Sequence, residues 1–185
     1  MKHLQLAPLG ELPGHLLHVL GAQLAEQFAA RCEILPPAPP PAFAFNASRG
    51  QYCSTEILAR LATSADRNAW RTLAVAGFDL YIPILTFVFG EAQLPGTCAL
   101  VSIHRLRQEV YGLPPDRKLL QERLRKEAVH ELGHTLGLTH CSDGSCVMAS
   151  SHAVEWIDLK TEDFCPACRA QVRNDANANV GAAWR

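Results

Sequence analysis

The chain has 185 residues, enough for one domain or one domain with a small appendage, and 48% of them are apolar, enough for a sizeable core. Its 17 Lys and Arg nearly balance 18 Asp and Glu, which excludes a bulk electrostatic pull toward nucleic acid or anionic membrane. No uninterrupted run of about 18 apolar residues offers a membrane span.

Gln5, Pro8, Glu11 and His15 interrupt any secretory apolar region near the N-terminus. A cytoplasmic location with reduced thiols is therefore expected. His3-Leu4-Gln5-Leu6 alternates and predicts a short strand. Leu12 to Ala30 predicts a helix with Pro13 in its first turn and a stripe of Leu16, Leu20, Leu24 and Phe28. Cys32 to Leu35 predicts a second strand. The proline-rich run from Pro36 to Pro41 follows as a stiff extended connector. Ser54 is placed to cap a helix from Thr55 to about Ala62. Leu73 to Gly77, Leu85 to Phe89 and Cys98 to His104 predict three more strands.

Pro114-Pro115-Asp116 then breaks the chain and offers Asp116 as a cap for a helix from about Arg117 to Leu136. Leu120, Leu124, Ala128, Leu132 and Leu136 recur every fourth residue and form its buried stripe. Beyond Gly137 the pattern gives way to short segments rich in Cys, Ser, Asp and Gly, and residues 174–185 predict a flexible tail. The order of elements predicts an α+β layer with a mixed sheet and a small metal-stapled segment behind it.

His130-Glu131-Leu132-Gly133-His134 places two histidines four apart on that helix, so both imidazoles reach one ion. At about 100° per residue they lie about 200° from the leucine stripe, on the opposite face. His140 supplies a third ligand only if the helix stops, because a continuing helix would carry it about 240° away from His134. Gly137 takes the positive φ of a helix C-terminal turn at little cost. Three neutral imidazoles leave zinc one open position for water. Glu131, one turn before His134, is placed to activate a zinc-bound water for amide hydrolysis.

Cys141, Cys146, Cys165 and Cys168 form two pairs, C-x4-C and C-x2-C, a pattern for tetrahedral zinc. Four thiolates close the coordination sphere, so this second zinc is expected to be structural. In a locally extended chain adjacent side chains point to opposite sides. His140 can then serve one ion while Cys141 serves the other, and the second zinc fixes the backbone beside the third histidine. Two other readings stand beside this one: a redox pair at Cys165 and Cys168, and a four-cysteine interaction module.

Together these residues resemble the archaemetzincins, a family of metzincin-clan zinc metallopeptidases. The run from His130 through Cys141, Cys146 and Met148 follows the family pattern without a gap, and Cys165 and Cys168 close it. The spacing from Met148 to Cys165 is one residue shorter than in the family. Three upstream stretches are also similar to the family: Arg49-Gly50-Gln51-Tyr52, the run from Phe87 to Ala92, and the run from Ser102 to Leu106. The resemblance implies a compact metzincin-like domain over residues 1–173, with a mixed five-stranded sheet and active-site helix over 1–140 and a four-cysteine zinc segment over 141–173. It implies Met148 in a turn beneath the zinc histidines. It also implies that the strand around Leu85 to Glu91 is the antiparallel edge of a cleft, to which a peptide can add as a further strand. The expected activity is zinc-dependent peptide hydrolysis by a monomer. The competing expectation is a zinc-stapled peptide-binding protein with little turnover. His3, His15, His18, His104 and His152 lack metal-ligand spacing to one another and are set aside. Cys32, Cys53 and Cys98 read as small apolar residues; Asp79 and Arg105 are candidates for pairing or for binding substrate, and read first as a structural ion pair or solvated surface.

Overall fold

The structure, a computed structural model, describes residues 1–172; the tail expected over 174–185 lies outside them. Strand β1 (Lys2–Leu9) leads through helix α1 (Gly14–Phe28) into β2 (Ala30–Ile34), which returns parallel to β1. Leu16, Leu20, Leu24 and Phe28 are the buried stripe of α1. The proline run pins itself to β1, with Gly10 N and Ala38 O 2.8 Å apart and Ala38 N and Pro8 O 3.0 Å apart.

A small outer sheet follows, made of β3 (Phe45–Asn46), β4 (Gln51–Cys53) and, further along the chain, β6 (Leu80–Tyr81). Helix α2 (Ser54–Ser64) and strand β5 (Arg71–Ala76) lie between them in sequence. Then come β7 (Gly90–Ala92), β8 (Cys98–Ser102), the long helix α3 (Arg117–Thr135) and the short helix α4 (Val154–Leu159). The main sheet has the order β2-β1-β5-β8-β7; β7 alone is antiparallel and forms one edge.

The sheet is buried on both faces, which is why β5 and β8 read as almost unbroken apolar runs. Leu4, Leu6, Leu73, Val75, Ala99 and Val101 meet α1 and α3. Their alternates Ala74, Ala76 and Leu100 meet Ile57 of α2 and Leu80. The mixed five-stranded sheet and the active-site helix thus follow the expectation.

Two local expectations are corrected. Ser54 does not cap α2: its hydroxyl is buried and donates to Glu91 Oε2 at 2.5 Å, with Tyr81 O also 3.2 Å away. Nor is Leu85 to Phe89 a strand. Val88 makes a single bridge to Leu80, and the ladder begins only at Gly90. Side chains take the carbonyls before it: Arg49 Nη2 donates to Leu85 O at 3.0 Å and Gln51 Nε2 to Thr86 O at 2.9 Å.

Helix α3 starts as predicted, with Asp116 Oδ1 accepting from Leu119 N at 2.9 Å. Leu124, Ala128 and Leu132 are fully buried on the stripe. The opposite face is buried too, holding Arg123, Glu127, His130 and Glu131. The segment after α3 folds back over it: Asp158 of α4 takes the Arg123 guanidinium in two bonds of 2.8 and 2.7 Å.

Candidate metal centres

Helix α3 delivers two imidazoles whose outer nitrogens are already engaged. His130 Nδ1 donates to Val147 O at 2.8 Å and His134 Nδ1 to Leu138 O at 2.7 Å. A carbonyl only accepts, so both rings carry their proton on Nδ1 and present a bare Nε2. These two nitrogens lie 3.0 Å apart. Lone pairs so close repel one another unless a cation lies between them. Zinc–nitrogen bonds of about 2.0–2.1 Å in a tetrahedron space their nitrogens about 3.3 Å apart, so the pair fits zinc.

The third imidazole arrives through the break. Gly137 has φ of +88°, and Leu138 N donates back to Gly133 O at 3.1 Å. The chain turns out of the helix there and brings the His140 ring centroid to 5.3 Å from His130 and 5.1 Å from His134. One nitrogen from each of the three lies within 4.8 Å of the others. Burial lowers all three imidazole pKa values from their ordinary range, with the Lys160 charge adding to the effect. A lowered imidazole pKa favours the neutral form that metal ligation requires.

The sulfurs of Cys141, Cys146, Cys165 and Cys168 also lie within 4.8 Å of one another. Cys141 Sγ and Cys165 Sγ are 3.9 Å apart, against about 3.8 Å for two thiolates on one tetrahedral zinc. Cys146 Sγ accepts N–H bonds from Met148 at 3.4 Å and Cys165 at 3.3 Å. The Cys168 backbone N–H pulls the Cys165 thiol down to about 7. Four gathered sulfurs make the arrangement that a single tetrahedral zinc takes. His140 and Cys141, adjacent in sequence, belong to different clusters. Cys141 N donates to Met148 O at 2.9 Å between the two clusters.

Glu131 is 5% exposed and opens into the same cleft as the histidines. Burial pushes its carboxyl well above the usual carboxylate range, Glu127 and Glu91 reinforce the shift, and Lys160 opposes it. A β-carbon on Gly90 would lie 2.7 Å from Glu131 Oε1, so the bare backbone of β7 leaves room for the carboxylate. The cleft holds about 520 Å³; the segment 85–92 forms one wall, and Ser150, Ser151 and His152 form the other. Met148 is fully buried, its sulfur packed against Gly133, between the first two histidines of the helix.

Sequence reading missed two features of this neighbourhood. Lys160 is 2% exposed and its Nζ lies 2.8 Å from Glu127 Oε1 beside the cleft. A lysine in a short polar segment carries no sign of burial. The second feature gathers all three upstream stretches around Asp79. Arg105 donates from Nε to Asp79 Oδ1 at 2.8 Å and from Nη2 to Oδ2 at 2.7 Å. Gln51 Nε2 donates to the same Oδ2 at 2.9 Å, and Phe87 lies under the Arg105 guanidinium at 4.3 Å. The ion-pair reading of Asp79 and Arg105 holds, and the pair anchors the cleft wall.

A helix that carries two imidazoles and turns at its end to meet a third, beneath a sheet whose last strand walls the cleft, defines a class: the metzincin-type zinc metallopeptidases. The sequence model of peptidase family M54 matches residues 41–174. An archaemetzincin from Methanocaldococcus jannaschii is 44% identical over 167 residues, covering 90% of each chain. The chain belongs to peptidase family M54, the archaemetzincins, and is a zinc metalloprotease. The crystal structure of the archaemetzincin from Archaeoglobus fulgidus superposes with a TM-score of 0.81 at 39% identity, covering 92% of this chain and 99% of that one. That from Methanopyrus kandleri gives 0.84 at 33% identity, covering 95% and 96%. Among the described residues, no helix is long and apolar enough to cross a membrane.

Proposed function

We propose that His130, His134 and His140 hold the catalytic zinc, that Cys141, Cys146, Cys165 and Cys168 hold a structural zinc, and that Glu131 is the general base for peptide-bond hydrolysis. The observation that carries this reading is the fixed tautomer of His130 and His134, which aims two bare Nε2 atoms at one point. Zinc held there supplies a Lewis acid that lowers the pKa of water to about 7 and polarises a carbonyl oxygen.

The remaining work falls to the chain. An extended peptide adds to the β7 edge by backbone hydrogen bonds, which sets its scissile carbonyl over the histidines. Glu131 takes a proton from the attacking water at its carboxylate and returns it to the amine nitrogen as the bond breaks. Residues 1–173 are read as one domain in which the four-cysteine segment braces the turn that carries His140.

Glu131→Gln in the full chain tests the base. Bound zinc should stay at two ions per chain while kcat falls about 10²- to 10⁴-fold. Full activity with both ions bound would remove Glu131 from the mechanism.

A further inference from the structure

We propose that a second cavity, on the far side of the cleft wall, is a recognition site for a carboxylate on the peptide substrate, with Arg49 and Arg105 as its donors. The inference rests on the peptide-docking reading above.

The cavity holds about 580 Å³ and shares Thr86 with the catalytic cleft, so a single stretch of chain separates the two. Arg49, Arg105 and Asp79 line it, which leaves one net positive charge, two cations against one anion. His104 also lines it, and burial lowers its imidazole pKa, which disfavours a further positive charge there.

Asp79 does not use up these cations. Its two oxygens already accept three N–H bonds, two from Arg105 and one from Gln51. Arg105 spends Nε and Nη2 on that carboxylate, and Nη1 has no protein acceptor among the described residues. Among the described residues, Arg49 spends Nη2 on Leu85 O and keeps Nε and Nη1. Both guanidinium planes are held by aromatic faces, Arg105 over Phe87 at 4.3 Å and Arg49 over Tyr81 at 4.2 Å. Planar donors fixed in this way lose little freedom on binding, and their forked geometry matches a carboxylate.

The reach is set by the wall itself. Gly90 adjoins Glu131, and Thr86 is four residues upstream, at most about 14 Å along an extended chain. A peptide lying along the wall would therefore bring an acidic group to the cavity about four residues from the scissile bond. An acidic side chain and a free C-terminus present the same carboxylate, and either would be held there.

The test uses the full, zinc-loaded chain and two series of peptides. One series is C-terminally amidated and carries a single Asp, or Asn as control, at each position out to about six residues from the cleaved bond. The other has neutral side chains and a free C-terminus at the same distances. The expected result is a kcat/KM at least about tenfold higher for carboxylate than for control at one distance, expressed mainly in KM. That ratio should fall toward one in Arg49→Gln, survive in part in Arg49→Lys, and shrink as salt is raised. Absence of any preference, or a preference undiminished in Arg49→Gln, would overturn the assignment. If no peptide is cleaved, it is the catalytic reading that has failed, and the cavity is judged on Kd for the same peptides. Tenfold tighter binding of the carboxylate member sustains it; equal Kd values reject it.

Discussion

Gly133 and Met148 are in contact on the underside of the active-site helix: a β-carbon on Gly133 would come within 2.4 Å of Met148 Sδ and 3.0 Å of the Phe164 ring. The sulfur fills the place of a side chain, which explains a glycine in the middle of a long helix. By propensity alone, Gly133→Ala should stabilise by about 1 kcal/mol. Met148 is fully buried, so its sulfur has little room to retreat, and overpacking of about 1–3 kcal/mol should win. The expected outcome is a lower midpoint in chemical denaturation. The loss should shrink in the Gly133→Ala, Met148→Ala double variant, because the two sites are coupled.

Gly137→Val tests the turn that frees His140. Its φ of +88° suits glycine and is unfavourable for a β-branched residue. Zinc bound at the histidine site should drop together with activity, measured as metal per chain after dialysis. Full metal content with unchanged activity would remove this role from the glycine.

Lys160→Met probes the buried charge pair. The pair sits at 2.8 Å, yet Glu127 Oε1 makes no hydrogen bond of good geometry, so the attraction is mainly one of charge. Removing one partner of a buried pair costs about 3–5 kcal/mol. Lys160 Nζ also donates to Ala149 O at 3.2 Å, so the segment after Met148 should loosen and its amides exchange faster. Lys160→Met combined with Glu127→Gln should recover part of the stability, since no unpaired carboxylate then remains.

The acid limb of stability should carry a contribution from Asp79. Burial raises its carboxyl pKa, but the hydrogen bonds from Arg105 and Gln51 outweigh that and leave it below the ordinary value. A depressed carboxylate stabilises the fold fully above its unfolded pKa of about 3.9. That contribution is lost as pH falls through the lower folded value. In denaturation measured from pH 6 downward, Asp79→Asn should lower the stability near neutrality and flatten its fall below about pH 4.

How far the sequence reveals this arrangement depends on how local each signal is. The three histidines, Gly137 and the four cysteines lie within 39 consecutive residues, and metal geometry restricts their spacing, so both clusters are legible. The leucine stripe of α3 is legible for the same reason. Its second buried face is not, because charged residues such as Arg123 and Glu127 read as solvated until Asp158 and Lys160 are seen to meet them. Apolar residues from Leu85 to Phe89 suggested a strand because they signal burial and say nothing of where the carbonyls bond. The Leu85 and Thr86 carbonyls go to Arg49 and Gln51, more than thirty residues away in sequence.

Strand β7 spans three residues, Gly90–Ala92, at the margin of the main sheet. Any margin of a sheet can recruit a strand from a neighbouring molecule, and long flat ones invite fibrils. If peptides dock along this strand as proposed, it must stay uncovered and cannot hide the hazard under a helix. Brevity is the remaining protection. A folded sibling offering its own β7 would gain only a three-residue ladder, too little to hold two globular bodies together. A loose peptide gains the same ladder and also sends side chains into the cleft. On the docking reading proposed above, the length of β7 would favour a client peptide over a second copy of the chain.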